Sequence, residues 1–477
     1  MGIEGIIVFT LYVVVLLILG FVAMRPTKSL EEFTVAGRSI RPILMGIGLA
    51  AASASGWAYI GAPGVAYAYG LIELLSTPLA WIPGIFAVAF LAIPIYRRLS
   101  ELFACKSVPE FIGNAHGKAF GLICLVAVIM SIQYLMFLTA QFKAAGLVLG
   151  SLLGISFNQA VIIAFMVLTI YAVLGGLRGA LYTDIIQAGF MIFVCLSSLY
   201  LIYLLIGGPT KLLEEAAKLN PNYVFPSTGE PYAKSYALLW FLIYVAYMGF
   251  QFQPSFVQFY MSVRKPSYKD SALIATIAGL ITLLTTYQVM GGLLGKVVLK
   301  PLEDPDKVMP VLWTTYLHPM ITSLLLIGAW SAILSSQDAY LVATIAGMTT
   351  VLEHAFIKFK IAVSEKGKLL IARSIGLLIA ITSMTWAITS PPPLLAILAI
   401  IGTTGLAAVL TGPLFVRLWW EGTKIGAYVS LLVTWPFYLI CAYYEVLGWL
   451  ELAVVGMIIS GVLYISISLL DKRLRQK

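Results

Sequence analysis

Ala51-Ala52-Ser53-Ala54-Ser55-Gly56 and Ala332-Ile333-Leu334-Ser335-Ser336 decide how this chain is read. Each interrupts a long apolar run with small or hydroxyl-bearing residues, where Leu or Ile would suit lipid better at every polar position. Small residues and Gly let a membrane helix unwind, and the freed carbonyls then need a partner. A bound cation is one such partner. Residues 332, 335 and 336 stand at i, i+3 and i+4, so one carbonyl and two hydroxyls gather on one helix face. An all-oxygen set of this kind suits a hard alkali cation, and the pattern points to a sodium site in a transporter.

Composition agrees. The chain is 61% hydrophobic and 11% charged, with a mean hydropathy of +0.97, which excludes an ordinary soluble protein. Thirteen hydrophobic segments can be marked, at 3–24, 41–69, 71–96, 119–149, 157–175, 183–206, 236–260, 271–296, 320–350, 369–390, 394–418, 424–444 and 449–470. With the N-terminus outside, 23 of the 30 basic residues fall on the cytoplasmic side, six fall outside and Lys143 lies within a span. The positive-inside rule therefore predicts an outside N-terminus and a cytoplasmic C-terminus in the cell membrane. The net charge of +9 thus reflects topology, and nucleic acid is not an expected partner. The first segment lacks a basic leader and a small-residue cleavage site, so it reads as a retained helix. Cys105, Cys124, Cys195 and Cys441 form no CxxC pair, and His116, His318 and His354 are scattered, so no metal-ligand pattern appears.

A single membrane domain over 1–477 is the expected organisation, with no appended soluble domain. The loop near 207–235 carries an amphipathic turn at 211–218, and the loop at 297–319 carries Glu303-Asp304-Pro305-Asp306-Lys307. Ser107-Val-Pro-Glu110 is expected to lie along the membrane surface. The second and seventh segments share Gly and polar residues at their midpoints, Ser53-Ala-Ser-Gly56 and Gly249-Phe-Gln251-Phe-Gln253-Pro254. Five spans separate their starts, so they enter the bilayer from opposite sides, as in transporters built of inverted repeats.

The chain resembles the sodium:solute symporter family, which includes proline, pantothenate, monocarboxylate, sialic acid and sodium/glucose transporters. The likeness runs through Val35-Ala-Gly-Arg-Ser39, Ser55-Gly-Trp57 with Gly61-Ala-Pro-Gly64, Gly175-Gly with Tyr182-Thr-Asp184-Ile-Ile-Gln187, Gln253-Pro254 and Gln258, Asp306-Lys-Val-Met-Pro310, Ser335-Ser-Gln-Asp338 and Pro391-Pro. It implies an all-α integral membrane fold of the leucine-transporter type. Two inverted five-helix repeats, at 41–206 and 236–418, would have one helix before them and two after.

The resemblance implies sodium ligands from the carbonyls of Ala51, Ala54 and Ala332 and the hydroxyls of Ser335 and Ser336, with sodium as the coupling ion. Otherwise the two serines only bond the preceding turn of their own helix. Some relatives hold a second cation near Asp184 and Asp338, but Ala339 leaves the hydroxyl set there incomplete. Intramembrane carboxylates are costly and usually functional; the alternatives are that Asp184 caps its helix with Thr183 and that Asp338 pairs with a buried base. By the same analogy the solute lies near Ser53, Ser55, Gly56, Trp57, Glu73, Gln141, Phe250 and Gln253. Trp57 and Glu73 match the proline carriers, whereas Ser53, Ala246 and Phe250 replace an aspartate, a tryptophan and a tyrosine. Lys143, deep in the fourth span, needs a carboxylate from Asp338, Glu73 or the solute, unless it snorkels to an aqueous rim.

The expected activity is sodium-coupled import of a small organic solute, a carboxylate or amino acid such as proline, pantothenate or a monocarboxylate. A sugar, polyol or urea is the alternative substrate class, and a sodium-independent uniporter the alternative mechanism. The expected partners are the solute, sodium and lipid, with no obligatory protein partner evident. A sensor would need an output domain, and an enzyme a metal motif, nucleophile constellation or phosphate loop.

Overall fold

The computed structural model describes residues 3–70, 80–224, 236–391 and 395–476. Their helices are α1 (Ile3–Met24), α2 (Leu30–Val35), α3 (Pro42–Gly56), α4 (Ala62–Tyr69), α5 (Ile82–Leu91), α6 (Ile93–Leu102), α7 (Val108–Ala115), α8 (Phe120–Leu153), α9 (Phe157–Leu168) and α10 (Leu174–Ile206). There follow α11 (Pro209–Leu219), α12 (Tyr236–Phe250), α13 (Pro254–Ser262), α14 (Tyr268–Val298), α15 (Val308–Tyr316), α16 (Pro319–Lys358), α17 (Glu365–Thr389), α18 (Leu395–Leu410), α19 (Lys424–Tyr443) and α20 (Trp449–Gln476). Among the described residues the only extended pairing is an isolated parallel bridge between Ile40 and Val263. The protein is an all-α integral membrane fold.

Among the described residues ten helices are long and apolar enough to cross a bilayer, or eleven if α5 and α6, bent by 41° at their junction, form one span. The expected count of thirteen is not confirmed among the described residues, for two reasons. The segment from Phe157 to Ile206 is continuous helix over 50 residues, about 75 Å at 1.5 Å per residue, far more than a hydrocarbon core of about 30 Å. Gly176 turns the chain inside it, at φ +60° and ψ −157°. A Cβ there would stand 2.7 Å from the Phe33 carbonyl oxygen, so only glycine fits. The expected loop at 176–182 is accordingly helical beyond that turn. The other reason is that α12 has 15 residues and ends at a break before Pro254.

Burial ranks the helices. The most apolar stretch of α1 is 22% buried, against 83% for α3–α4 and 78% for α16. Purely apolar α1 thus faces lipid, while the Ser- and Gly-bearing α3 and α16 form the centre, where small residues let backbones approach. Around them, α16 packs along α8, α10 and α3; α14 lies on α3, and α18 packs on α8 and α20.

Two surface expectations fare differently. The turn expected at 211–218 is the helix α11. In the Ser107–Ile112 stretch, Val108 to Gly113 are buried within the protein in α7. Ser107 caps that helix by accepting the Glu110 N–H, while the Glu110 carboxylate accepts the Lys106 N–H at 2.7 Å. The helix lies against α8 and α16.

Candidate functional site

Ser55 breaks α3. Its φ of +39° and ψ of 175° are sparsely populated for a residue with a Cβ, at a cost of about 1–3 kcal/mol. A π-helical turn, Trp57–Gly61, leads into α4. In lipid every freed backbone group needs a partner, and each can be traced. The Gly56 N–H donates to Gln141 Oε1 at 2.8 Å, and the Trp57 N–H to Ser55 Oγ at 3.0 Å. The Tyr59 carbonyl accepts from Gln288 Nε2 at 3.3 Å. Because Gly56 has turned to Gln141, the Ala52 carbonyl loses its helical donor.

Two hydroxyls of α16 meet the freed carbonyls. Ser335 Oγ donates to the Ala51 carbonyl at 2.8 Å and Ser336 Oγ to the Ala52 carbonyl at 2.8 Å. Both also face the Ala332 carbonyl, at 3.0 and 3.3 Å, so the intrahelical contact and the contact across to α3 coexist. Two hydroxyl protons thus face three carbonyl oxygens, a fully buried cluster richer in acceptors than donors. That donor set fits an alkali cation. The Ala54 carbonyl accepts the Trp57 N–H, and the carbonyl that Ser336 meets is that of Ala52. The φ of Ser55 redirects the backbone between them, which spacing alone does not reveal.

Beside this cluster lie two fully buried carboxylates, Asp184 and Asp338, within electrostatic reach of each other. Asp184 sits well inside α10 rather than capping it, and its Oδ2 faces α3 at Gly48. Asp338 has no basic partner; the Tyr171 hydroxyl donates to its Oδ2 at 3.0 Å and contacts the Leu334 carbonyl at 3.2 Å. Three of the four carboxylate oxygens, both of Asp184 and Oδ1 of Asp338, accept no hydrogen bond.

A small cavity of about 20 Å³ adjoins the break, lined by Ser53, Ser55, Trp57, Trp81, Phe137, Tyr247, Phe250, Ala399, Ile400, Thr403 and Thr404. Four of the residues expected near a solute, Ser53, Ser55, Trp57 and Phe250, are on its wall. Gly56 is not: a Cβ there would press on Gln141, Ala144 and Ile333, so it faces α8 and α16. Gln141 serves the Gly56 N–H, and fully buried Gln253 lies off the wall at the α12–α13 break. Glu73 lies outside the described residues. The sequence pass missed Trp81, Phe137, Tyr247 and the α18 residues, because single aromatics and threonines in apolar spans carry no local signature.

Lys143 is also absent from the wall, and two carboxylates of the 299–318 connection stand beside it. Its ammonium lies 2.6 Å from Asp306 Oδ2 and 3.8 Å from Asp304 Oδ1. Lys143 and Asp306 are 6% and 0% exposed in their side chains, so α8 is tied to the 299–318 connection by a buried ion pair. The Leu302 N–H of the same connection donates to the Tyr67 hydroxyl oxygen of α4 at 2.9 Å. The predicted cytoplasmic end is tied as well. The Ile40 N–H bonds the Ser262 carbonyl at 3.2 Å, Arg97 Nε the Val263 carbonyl at 2.6 Å, and Gln258 Nε2 the Thr34 carbonyl at 2.8 Å. Glu353 bridges Lys106 at 2.7 Å and Lys368 at 3.0 Å. Nearby, burial pushes the Glu110 carboxyl above its ordinary range.

Comparison with known proteins places this geometry. The profile of the sodium:solute symporter family matches residues 33–434. The sodium/pantothenate symporter of Haemophilus influenzae is 26% identical over 425 residues, 86% of this chain and 84% of that protein. The osmoregulated proline transporter of Bacillus subtilis is 24% identical over 444 residues, 91% and 87% of the two chains. In fold, a sodium-coupled sialic acid symporter solved in a substrate-bound outward-open state superposes with a TM-score of 0.79 at 17% identity, covering 98% of each chain. The chain belongs to the sodium:solute symporter family and is a sodium-coupled solute transporter of the membrane, not an enzyme.

Proposed function

We propose that the protein imports a small carboxylate or amino acid, with sodium held by the carbonyls of Ala51, Ala52 and Ala332 and the hydroxyls of Ser335 and Ser336. The observation that carries this reading is the contact of both α16 hydroxyls with the carbonyls freed at the α3 break. The same segment supplies Ser53 and Ser55 to the cavity wall, so ion and solute would share one unwound backbone. Bound sodium would then hold that segment in the shape the solute needs, which is the physical basis of coupling. Pantothenate and proline, the solutes named for the relatives, both carry a carboxylate, and an anion can draw on the adjacent sodium charge in a low-dielectric pocket.

Asp184 and Asp338 form the second candidate cation site in this reading. Buried carboxylates require a compensating cation or neutralisation, and no base stands beside them. Residues 41–206 and 236–418 would be the inverted repeats, and the N-terminus would lie outside the plasma membrane with the C-terminus in the cytoplasm. The test is uptake of radiolabelled L-proline, pantothenate, lactate and pyruvate into proteoliposomes, with and without an inward sodium gradient. Uptake of at least one that collapses without sodium is expected. Uptake of a probe that persists unchanged without sodium would overturn the coupling, and sodium-driven uptake of a sugar but of none of the acids would overturn the substrate class.

A further inference from the structure

We infer that Trp81 determines solute selectivity, its indole N–H donating a hydrogen bond to an oxygen of the bound solute. The inference rests on the cavity beside Ser55 being the solute site. Trp81 lines that cavity and is 6% exposed, yet among the described residues its Nε1 has no hydrogen-bond acceptor. A buried donor left unsatisfied is destabilising, and such groups in a native fold call for a reason. An acceptor arriving with the solute supplies one, because the interaction is then gained only on binding.

The neighbours of Trp81 fix its direction. Its ring lies 4.5 Å from the Phe250 ring and 5.2 Å from the Tyr247 ring, centroid to centroid, so the indole is clamped on the α12 side. Two hydroxyls of the wall are committed elsewhere. Ser53 Oγ donates to the Ala50 carbonyl at 2.8 Å and Thr403 Oγ1 to the Ala399 carbonyl at 2.9 Å. Among the described residues the wall contains no charged side chain. It therefore offers a largely aromatic and aliphatic enclosure with a buried, uncommitted indole donor at Trp81, a match for a compact solute with an apolar body and an accepting carboxylate oxygen. A sugar or polyol, with hydroxyls on every face, would leave most of them unpaired against Trp57, Phe137, Phe250 and Ile400. A site that reads one polar group rejects analogues that lack it far more strongly than analogues differing by a methylene.

The experiment compares wild type with Trp81→Phe, which keeps an aromatic ring and removes the donor. A second variant carries 3-benzothienylalanine at position 81, replacing N–H by sulfur in a ring of nearly the same shape. Sodium-driven uptake of L-proline, pantothenate, lactate and pyruvate is measured in proteoliposomes against probe and sodium concentration. For the best-transported acid, a rise in apparent KM of at least tenfold in both variants is expected, with kcat and the sodium half-saturation within twofold of wild type. An unchanged KM in the benzothienyl variant would overturn the inference and leave the proposed function standing. If no acid drives uptake in wild type, the carboxylate reading falls, and the inference falls with it. Should Trp81→Phe fail to insert, the benzothienyl variant decides alone.

Discussion

Lys143→Met removes the cation from a carboxylate that has no exposure to water. Across the observed 2.6 Å, the attraction at an effective dielectric of about 20 is about 6 kcal/mol before desolvation is subtracted. One-sided loss of a buried pair costs about 3–5 kcal/mol. The mutant can also relieve itself by protonating the carboxylate, and for an ordinary aspartic acid at pH 7 that costs about 4 kcal/mol, which sets a ceiling. The expected destabilisation at pH 7 is therefore about 3–4 kcal/mol, falling as the pH is lowered towards 5. Asp306→Asn should cost less, because Asp304 remains 3.8 Å from the ammonium. The double variant Lys143→Met/Asp306→Leu, which removes both charges, should recover most of the loss. SDS-induced unfolding in mixed micelles, followed by tryptophan fluorescence, supplies the free energies for the cycle. Both partners belong to the protein, so the loss should be the same with and without sodium or solute. A loss below about 0.5 kcal/mol in Lys143→Met, or one that appears only with an acid present, would refute the pairing and restore Lys143 as a solute contact.

Other consequences can be measured on the same preparation. Ser53 lies on the cavity wall one residue beyond Ala52, so Ser53→Leu should raise the apparent solute KM at least tenfold while insertion is retained; normal transport would move the pocket elsewhere. His116 is buried, with Nε2 2.7 Å from the Tyr464 hydroxyl and Nδ1 2.7 Å from the Ile112 carbonyl, and burial pushes its pKa down to about 4. The unfolded chain then binds the extra proton first, so this contribution is complete above about pH 6.5 and is lost as pH falls towards 4, by about 3 kcal/mol in all. His116→Gln should flatten the melting temperature between pH 7 and 5, and an unaltered slope would contradict it. Gly176→Ala forces a Cβ against Phe33 at positive φ and should cost at least about 1 kcal/mol; a melting temperature equal to wild type would show that the turn is not held as described.

The broken helix was legible because its signal is chemical: small and hydroxyl residues have no reason to interrupt a lipid-facing run. Ser335 and Ser336 could be paired with residues 51–54 for the same reason. Which carbonyl Ser336 meets was not legible, because it depends on one dihedral at Ser55 and on Gln141 drawing away the Gly56 N–H. The partner of Lys143 was hidden in a different way. Asp306 stands in a loop, 163 residues away in sequence, and hydropathy treats loops as solvent-facing. The Pro305–Lys307 turn instead packs under Gly64 of α4. The exact turn at Gly176 was not legible, because a single positive-φ glycine divides a helix without any change in composition. The cavity wall draws on α3, α5, α8, α12 and α18, so no short window of sequence contains it.

The central claim is that Ser335 and Ser336 hold the coupling ion against the carbonyls of the broken helix. Binding of ²²Na⁺ to purified protein, measured against sodium concentration for wild type, Ser335→Ala and Ser336→Ala, tests it most directly. Each variant removes one of about five oxygen ligands from a site closed to water, and hydrogen bonds to the freed carbonyls go with it. Half-saturation should shift upward at least tenfold in both variants while both remain folded and inserted. Wild-type sodium affinity in both would contradict the assignment.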